Sequence, residues 1–159
     1  MNNVFIIIGG NLGNRLQNLK KAASLIEQKA GVIKKLSALY ETEPWGTKEQ
    51  PHYYNQVLEL LTPLEADSLM QIFLQIEQQM GRVRTAKYDA RTIDIDILFF
   101  NNEVINTGLL TVPHPRLHQR RFVLQPLAEI APELVHPVLE QTVTELLRNT
   151  KDDTGVKEV

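Results

Sequence analysis

The sequence has no cysteine in its 159 residues. That excludes a disulfide scaffold, a thiolate zinc site and a cysteine nucleophile. It has no long apolar run. Stretches such as Val4–Ile8 and Ile95–Phe100, the latter broken by Asp96, fall far short of the roughly 20 residues that cross a bilayer. The start, MNNVFIII, has no basic n-region, so no signal peptide is expected. No repeat and no low-complexity linker is visible. An excess of positive charge is also missing. Lys and Arg total 17 against 19 Asp and Glu, a net charge of −2, which argues against a nucleic-acid-coating protein. No membrane and no nucleic-acid partner is expected, and a cytoplasmic location fits these absences.

What is present is ordinary for a soluble globular chain, with 43% hydrophobic and 23% charged residues. The length suits a single domain over 1–150, with a polar, frayed tail at 151–159. The charges are unevenly spread. Seven basic residues (Arg82, Arg84, Lys87, Arg91, Arg116, Arg120, Arg121) and only four acidic ones fall between Arg82 and Arg121.

The hydrophobic pattern predicts a buried strand at Val4–Ile8 ended by Gly9-Gly10. A helix capped by Asn14 follows, with Leu16, Leu19, Ala23 and Ile26 on one face and a stop at Gly31. Strands are predicted at Val32–Tyr40 and Tyr53–Leu61, separated by a loop over Thr42–Pro51. A second helix starts near Thr62-Pro63-Leu64-Glu65 and ends at Gly81. Ile93–Phe100 is the clearest strand, and Asn101-Asn102 reads as a turn into a hairpin partner at Val104-Ile105. Val112–Leu117 reads as loop, Phe122–Leu124 as a short strand and Val143–Leu147 as a short helix. The order β-α-β-β-α-β with a C-terminal extension is that of a ferredoxin-like α+β fold, a mostly antiparallel sheet with helices on one face.

Within the clearest strand, Asp94 and Asp96 are two residues apart. They share a face at roughly 6.5–7 Å along the chain, while Ile93, Ile95 and Ile97 face the core. Two neighbouring carboxylates repel unless a cation lies beside them. Mg²⁺ fits, since it takes oxygen ligands and often only one or two carboxylates plus substrate phosphates. A solvated face that happens to repeat Asp is the alternative. Gly81-Arg82-Val83-Arg84, Arg91, Pro113-His114-Pro115-Arg116 and Arg120-Arg121 surround the pair in sequence. Guanidinium groups bind phosphate oxygens bidentately, so acids and arginines together suit a site for phosphates and metal. Mutual Asp–Arg salt bridging is the alternative here.

Gly9-Gly10-Asn11-Leu12-Gly13 is neither a Walker A loop nor G-x-G-x-x-G, and reads as a tight turn with a helix cap. Pro115 argues against a helical zinc pair of His114 and His118. His52 and His136 read as ordinary surface or core histidines. Tyr53 and Asn55 share a strand face, where a ring and an amide could stack on and hydrogen-bond a flat heterocycle.

Taken together, Ile8-Gly9-Gly10-Asn11-Leu12-Gly13, Tyr40-Glu41-Thr42-Glu43-Pro44-Trp45-Gly46, Tyr53-Tyr54-Asn55, Glu77 with Gly81-Arg82-Val83-Arg84, Arg91-Thr92-Ile93-Asp94-Ile95-Asp96-Ile97 and Val112-Pro113-His114-Pro115-Arg116 are highly specific. On these motifs, from about Val4 to Val135, the chain resembles the 6-hydroxymethyl-7,8-dihydropterin pyrophosphokinases. The resemblance implies Mg-dependent transfer of diphosphate from ATP to a pterin alcohol, with release of AMP, in folate synthesis, by a monomer. It implies that Asp94 and Asp96 bind two Mg²⁺ ions and, with Arg82 and Arg91, form the catalytic group. ATP would be held by Glu77, Arg84, Arg91, Thr111, His114 and Arg120. The pterin would be held by Thr42, Pro44, Asn55 and Asp94, with its ring between Tyr53 and Phe122. The segments Glu43–His52 and Arg82–Arg91 would close over the substrates. The sequence departs from the family pattern at Tyr88, at Asp89-Ala90 and at Leu109, which is assigned no phosphate role. An RNA-binding module of the same topology and a metal-dependent nuclease built on Asp94 and Asp96 are the competing readings.

Overall fold

The structure is a computed structural model, and it describes residues 1–43, 51–81 and 92–159. The chain opens with β1 (Asn2–Gly10) and α1 (Arg15–Lys29), then β2 (Val32–Leu36), β3 (Tyr40–Thr42) and β4 (Tyr53–Thr62). Helix α2 (Ala66–Gln79) leads to β5 (Asp94–Phe100), followed by the small strands β6 (Ile105–Asn106) and β7 (Thr111–Val112). A 3₁₀ turn (Leu117–Gln119), α3 (Arg121–Ile130), α4 (Val143–Asn149) and β8 (Val156–Glu158) complete it. Asn14 caps α1 as its position predicts, its side chain accepting from the Gln17 N–H at 3.1 Å.

The main sheet has the order β5-β1-β4-β3-β8, with β2 also on β4, and every pairing is antiparallel. The mixed helix and antiparallel-sheet class is therefore as predicted. One face of the sheet carries Val4, Ile6, Ile8, Leu58, Leu60, Ile95 and Ile97, which pack on the apolar stripes of α1 and α2. The other face carries Phe5, Ile7, Val57 and Leu98, which pack on Val123, Leu124 and Leu127 of α3 and on Val143 and Leu146 of α4.

Helices thus cover both faces, not one. The difference traces to α3, which occupies the segment expected to hold a strand at Phe122–Leu124. Its N-cap residue, Arg120, offers no side-chain acceptor, so no local start signal precedes it. The predicted strand Val32–Tyr40 breaks into β2 and β3. At the break the Ser37 hydroxyl accepts from the Val57 N–H at 3.0 Å in place of a regular ladder. Gly9 and Gly10 do not end β1 but form its last two paired residues, opposite Asn55 and Tyr54. The predicted hairpin partner of β5 pairs with β7 instead. The tail read as frayed contributes β8, because β3 has a free edge that Val156–Glu158 fills. Among the described residues, no helix is long and apolar enough to cross a membrane.

Candidate active site

The strand register brings the predicted site residues of three strands to one place. Tyr40 lies opposite Asn55, Asn55 opposite Gly9, and Gly9 opposite Asp94, so these four form one row across the sheet. Thr42 lies opposite Tyr53, one pleat nearer the strand end. Asp96 lies opposite Ile7. Directly opposed residues of an antiparallel ladder share a face. Tyr53, Asn55 and Val57 alternate along β4, as do Asp94, Asp96 and Leu98 along β5. Because Val57 and Leu98 lie under α3 and α4, the whole set sits on that face, beyond the end of the apolar cluster. Phe122, in the first turn of α3, is half-buried at the edge of the same cluster. Period-two alternation alone places the two aspartates together, and the structure keeps both half-buried beside fully buried Ile93, Ile95 and Ile97.

Gly9 shapes the middle of the row. A Cβ there would stand 2.1 Å from Asn55 Oδ1, so the amide of Asn55 lies directly over the glycine backbone. A side chain at position 9 would fill the space between Asn55 and Asp94. The hydroxyl of Thr42 is buried and has no hydrogen-bond partner among the described residues. An unsatisfied buried hydroxyl costs roughly 1–3 kcal/mol, a cost a bound polar edge would remove.

Glu77, from the last turn of α2, is 2% exposed. Its Oε2 accepts from the N–H of Ile95 at 2.9 Å. β5 is an edge strand, so this carboxylate satisfies an outward amide lying between the two aspartates. His114 is tied to the same strand by its own N–H, which donates to Leu98 O at 3.0 Å. Its Nδ1 accepts from the Arg116 N–H at 3.3 Å, which leaves Nε2 to carry the proton of the neutral ring. Burial and the nearby Arg120 push the imidazole down to about 4, against the opposing pull of Asp94. Neutral near pH 7, His114 offers a hydrogen bond rather than a charge. The guanidinium of Arg120 lies 5.6 Å from the Phe122 ring centroid. Thr111 is exposed on β7, its hydroxyl 3.5 Å from Asn106 Oδ1.

Pro44, Arg82, Arg84 and Arg91 lie outside the described residues, as do most of the two segments expected to close over substrates. Two residues that lie in the motifs above, but to which the sequence assigns no role, also support the site. Asn11 is 1% exposed and its Nδ2 donates to Pro51 O at 3.0 Å. Tyr40 donates its hydroxyl to Glu129 at 2.6 Å. No local signal shows the task of either, because the partner of each is remote in sequence.

An antiparallel sheet with helices on both faces, gathering paired half-buried carboxylates, a buried amide and a buried hydroxyl at one end of its strands, is the frame of an α+β enzyme. The chain matches the family model described as 7,8-dihydro-6-hydroxymethylpterin-pyrophosphokinase over residues 5–132, and it belongs to that family. It is accordingly a pyrophosphokinase, a transferase of folate synthesis.

Among curated relatives, a 2-amino-4-hydroxy-6-hydroxymethyldihydropteridine pyrophosphokinase of Bacillus subtilis is 41% identical, covering 99% of this chain and 96% of its own. One from Aquifex aeolicus is 38% identical, over 91% of this chain and 90% of its own. Among solved structures, Plasmodium falciparum HPPK-DHPS superposes with a TM-score of 0.78 at 20% identity. It covers 92% of this chain, which spans 44% of that longer one; at that identity the likeness speaks for the fold.

Proposed function

We propose that this chain catalyses Mg²⁺-dependent transfer of the diphosphate of ATP to the hydroxymethyl oxygen of 6-hydroxymethyl-7,8-dihydropterin, with AMP as the leaving group. The observation that carries the reading is the shared face: Asp94 on β5 stands across Gly9 from Asn55, with Asp96 one pleat further along opposite Ile7, and Thr42 and Tyr53 alongside. A ring-reading amide and the first of the two acids are therefore separated by one glycine. The relatives named for this activity over nearly their full length support it. The strand order, with β1 between β5 and β4 and the broken second strand outside β4, supports the ferredoxin-like reading of the sheet.

Each residue has a defined task in this reading. Tyr53 and Phe122 take the pterin ring between them, and Thr42 and Asn55 meet its polar edge, with Pro44 alongside. The neutral His114 and cationic Arg120 hold phosphate oxygens, with Arg82, Arg84 and Arg91 joining them and Thr111 and Glu77 on the nucleotide side. Glu77 also holds the strand that carries the acids. Asp94 and Asp96 supply hard oxygen ligands, one pleat apart, which suits Mg²⁺ shared with phosphates and water; two ions are the proposed number. Bound magnesium supplies neutralisation of phosphate charge and a lower pKa for the attacking alcohol. Covalent participation by the protein is not required, since positioning and charge stabilisation supply most of the rate in phosphoryl transfer. The chain acts as a monomer on these two small molecules, in the cytoplasm.

The test is incubation with ATP, Mg²⁺ and the pterin alcohol, following the nucleotide product. AMP formation that depends on both the pterin and the metal is the expected result. Release of ADP, or AMP formation that persists in excess EDTA, refutes the proposal.

A further inference from the structure

The last nine residues were expected to fray, yet they reach both walls of the proposed pterin site. Helix α3 lacks a local cap, and the missing acceptor comes from far along the chain. Asp152 Oδ2 accepts from the Arg121 N–H at 2.9 Å, and the Asp152 carbonyl accepts from Arg121 Nε–H at 2.9 Å. The carboxylate is itself held. Its Oδ1 accepts from the Thr154 N–H at 3.0 Å and from the Thr154 hydroxyl at 2.6 Å. The Asp152 N–H donates to the Thr150 hydroxyl at 3.3 Å. Burial opposes ionisation of this carboxyl, but the bonds from Thr154 and Arg121 outweigh it and hold it below the usual carboxylate range. Four residues later Val156 pairs with Thr42, and Lys157 with Glu41.

The opposite end of α3 is pinned as well. Glu129 accepts from the Ala38 N–H at 3.0 and 3.2 Å and from the Tyr40 hydroxyl at 2.6 Å. With Glu129 held, a tilt of α3 pivots there and displaces its N-terminal end most. Phe122 is seven residues from Glu129, about 10 Å along the axis, so a tilt of a few degrees moves its ring by the better part of ~1 Å.

We infer that Asp152 is a positioning residue for pterin binding: from the C-terminal segment it caps α3 and sets Phe122, while β8 in the same segment holds Thr42 in the opposite wall. The inference rests on the proposed pterin site. It gives a role to residues outside the matched 5–132 segment.

Asp152→Ala and Asp152→Asn in the full chain test it, the second keeping a side-chain carbonyl for the Arg121 N–H. Steady-state kinetics give KM for pterin and ATP separately, and amide hydrogen exchange reads Arg121 and Phe122 directly. Asp152→Ala is expected to raise the pterin KM about tenfold, with ATP KM and kcat within about threefold, because a ring displaced by ~1 Å loses much of its stacking contact with the pterin and none with the nucleotide. Exchange at the Arg121 amide should quicken, and Asp152→Asn should recover most of the loss. If Asp152→Ala does not fold, Thr154→Val, which removes the 2.6 Å bond to Oδ1, is read for the same split in smaller measure. An unchanged pterin KM beside a freed Arg121 amide overturns the inference. So does an equal rise in both KM values that Asp152→Asn does not relieve. Wild-type protein that forms no AMP with the pterin takes down the functional reading, and the inference with it. Wild-type turnover with either of the two preceding results takes down the inference alone.

Discussion

Replacing Gly9 by alanine puts one methyl group into the centre of the site. The new Cβ would lie 2.1 Å from Asn55 Oδ1 and 3.0 Å from the backbone oxygen of Tyr54, where real contacts stay beyond 3.0 Å. The main-chain neighbour blocks retreat of β1, so the Asn55 amide must swing aside. Overpacking of this kind costs about 1–3 kcal/mol. For a chain of this size roughly 2–4 °C of Tm is lost per kcal/mol, a drop of about 2–12 °C in all. In the proposed site the displaced amide would also lose its bonds to the pterin edge, each worth about 0.5–1.5 kcal/mol. Two such bonds, about 1–3 kcal/mol, correspond to a fall in pterin affinity of roughly 5- to 150-fold, while ATP affinity should stay within about twofold. Calorimetric titration with pterin and with an ATP analogue, beside a thermal melt, reads all three quantities. Gly108→Ala is the control, since nothing lies within 4 Å of its Cβ, and it should change stability by less than ~0.5 kcal/mol. Wild-type pterin affinity in a folded Gly9→Ala protein would falsify the assignment of Asn55 as a ring-reading group.

The remaining expectations are as direct. Asp96→Ala should abolish turnover, and retention of more than about a tenth of kcat, a loss below ~1.4 kcal/mol, removes its proposed role. Glu77→Ala strands the buried N–H of Ile95 and should cost about 1–3 kcal/mol in chemical denaturation, with Glu77→Gln recovering over half; equal losses in the two refute this hydrogen bond as the cause. The His114 imidazole, lowered to about 4 by burial and Arg120, should stay neutral in metal-free protein until that pH in an NMR titration. The unfolded chain binds its proton near 6.5. The stability it contributes is therefore present above that pH and is lost as pH falls from there through about 4. A measured midpoint above 6 contradicts the buried placement. Tyr40 has its pKa raised by burial and by Glu129, so its contribution is present below the ordinary tyrosine value and fades as pH rises past it. Tyr40→Phe should remove that alkaline dependence.

Much of this architecture was legible from pattern alone. Continuous apolar residues at Val4–Ile8, the Asn14 cap and the alternation through Ile93–Phe100 are short-range signals, and each reappears in the structure. Alternation was enough to put Asp94 and Asp96 on one face. The failures share a cause. At Phe122–Leu124 the structure has a helix, whose first residue, Arg121, is capped by Asp152, 31 positions away. At 151–159 the strand exists because β3 presents an open edge to it. At Gly9-Gly10, where a turn was expected, Gly9 serves cross-strand clearance for Asn55. In each case the deciding partner is remote in sequence.

The amino-acid order by itself determined which residues could do chemistry here: acids one pleat apart, an aromatic beside an amide, and arginines and a histidine around them. It did so because the two-residue repeat of a strand and the donor sets of side chains are local properties. Only the tertiary structure decided that Asn55 and Asp94 flank one glycine, that Glu77 props the acid-bearing strand, and that the chain's end closes over α3. Those relations depend on register between strands and on unsatisfied donors finding acceptors at long range, which no window of neighbouring residues contains.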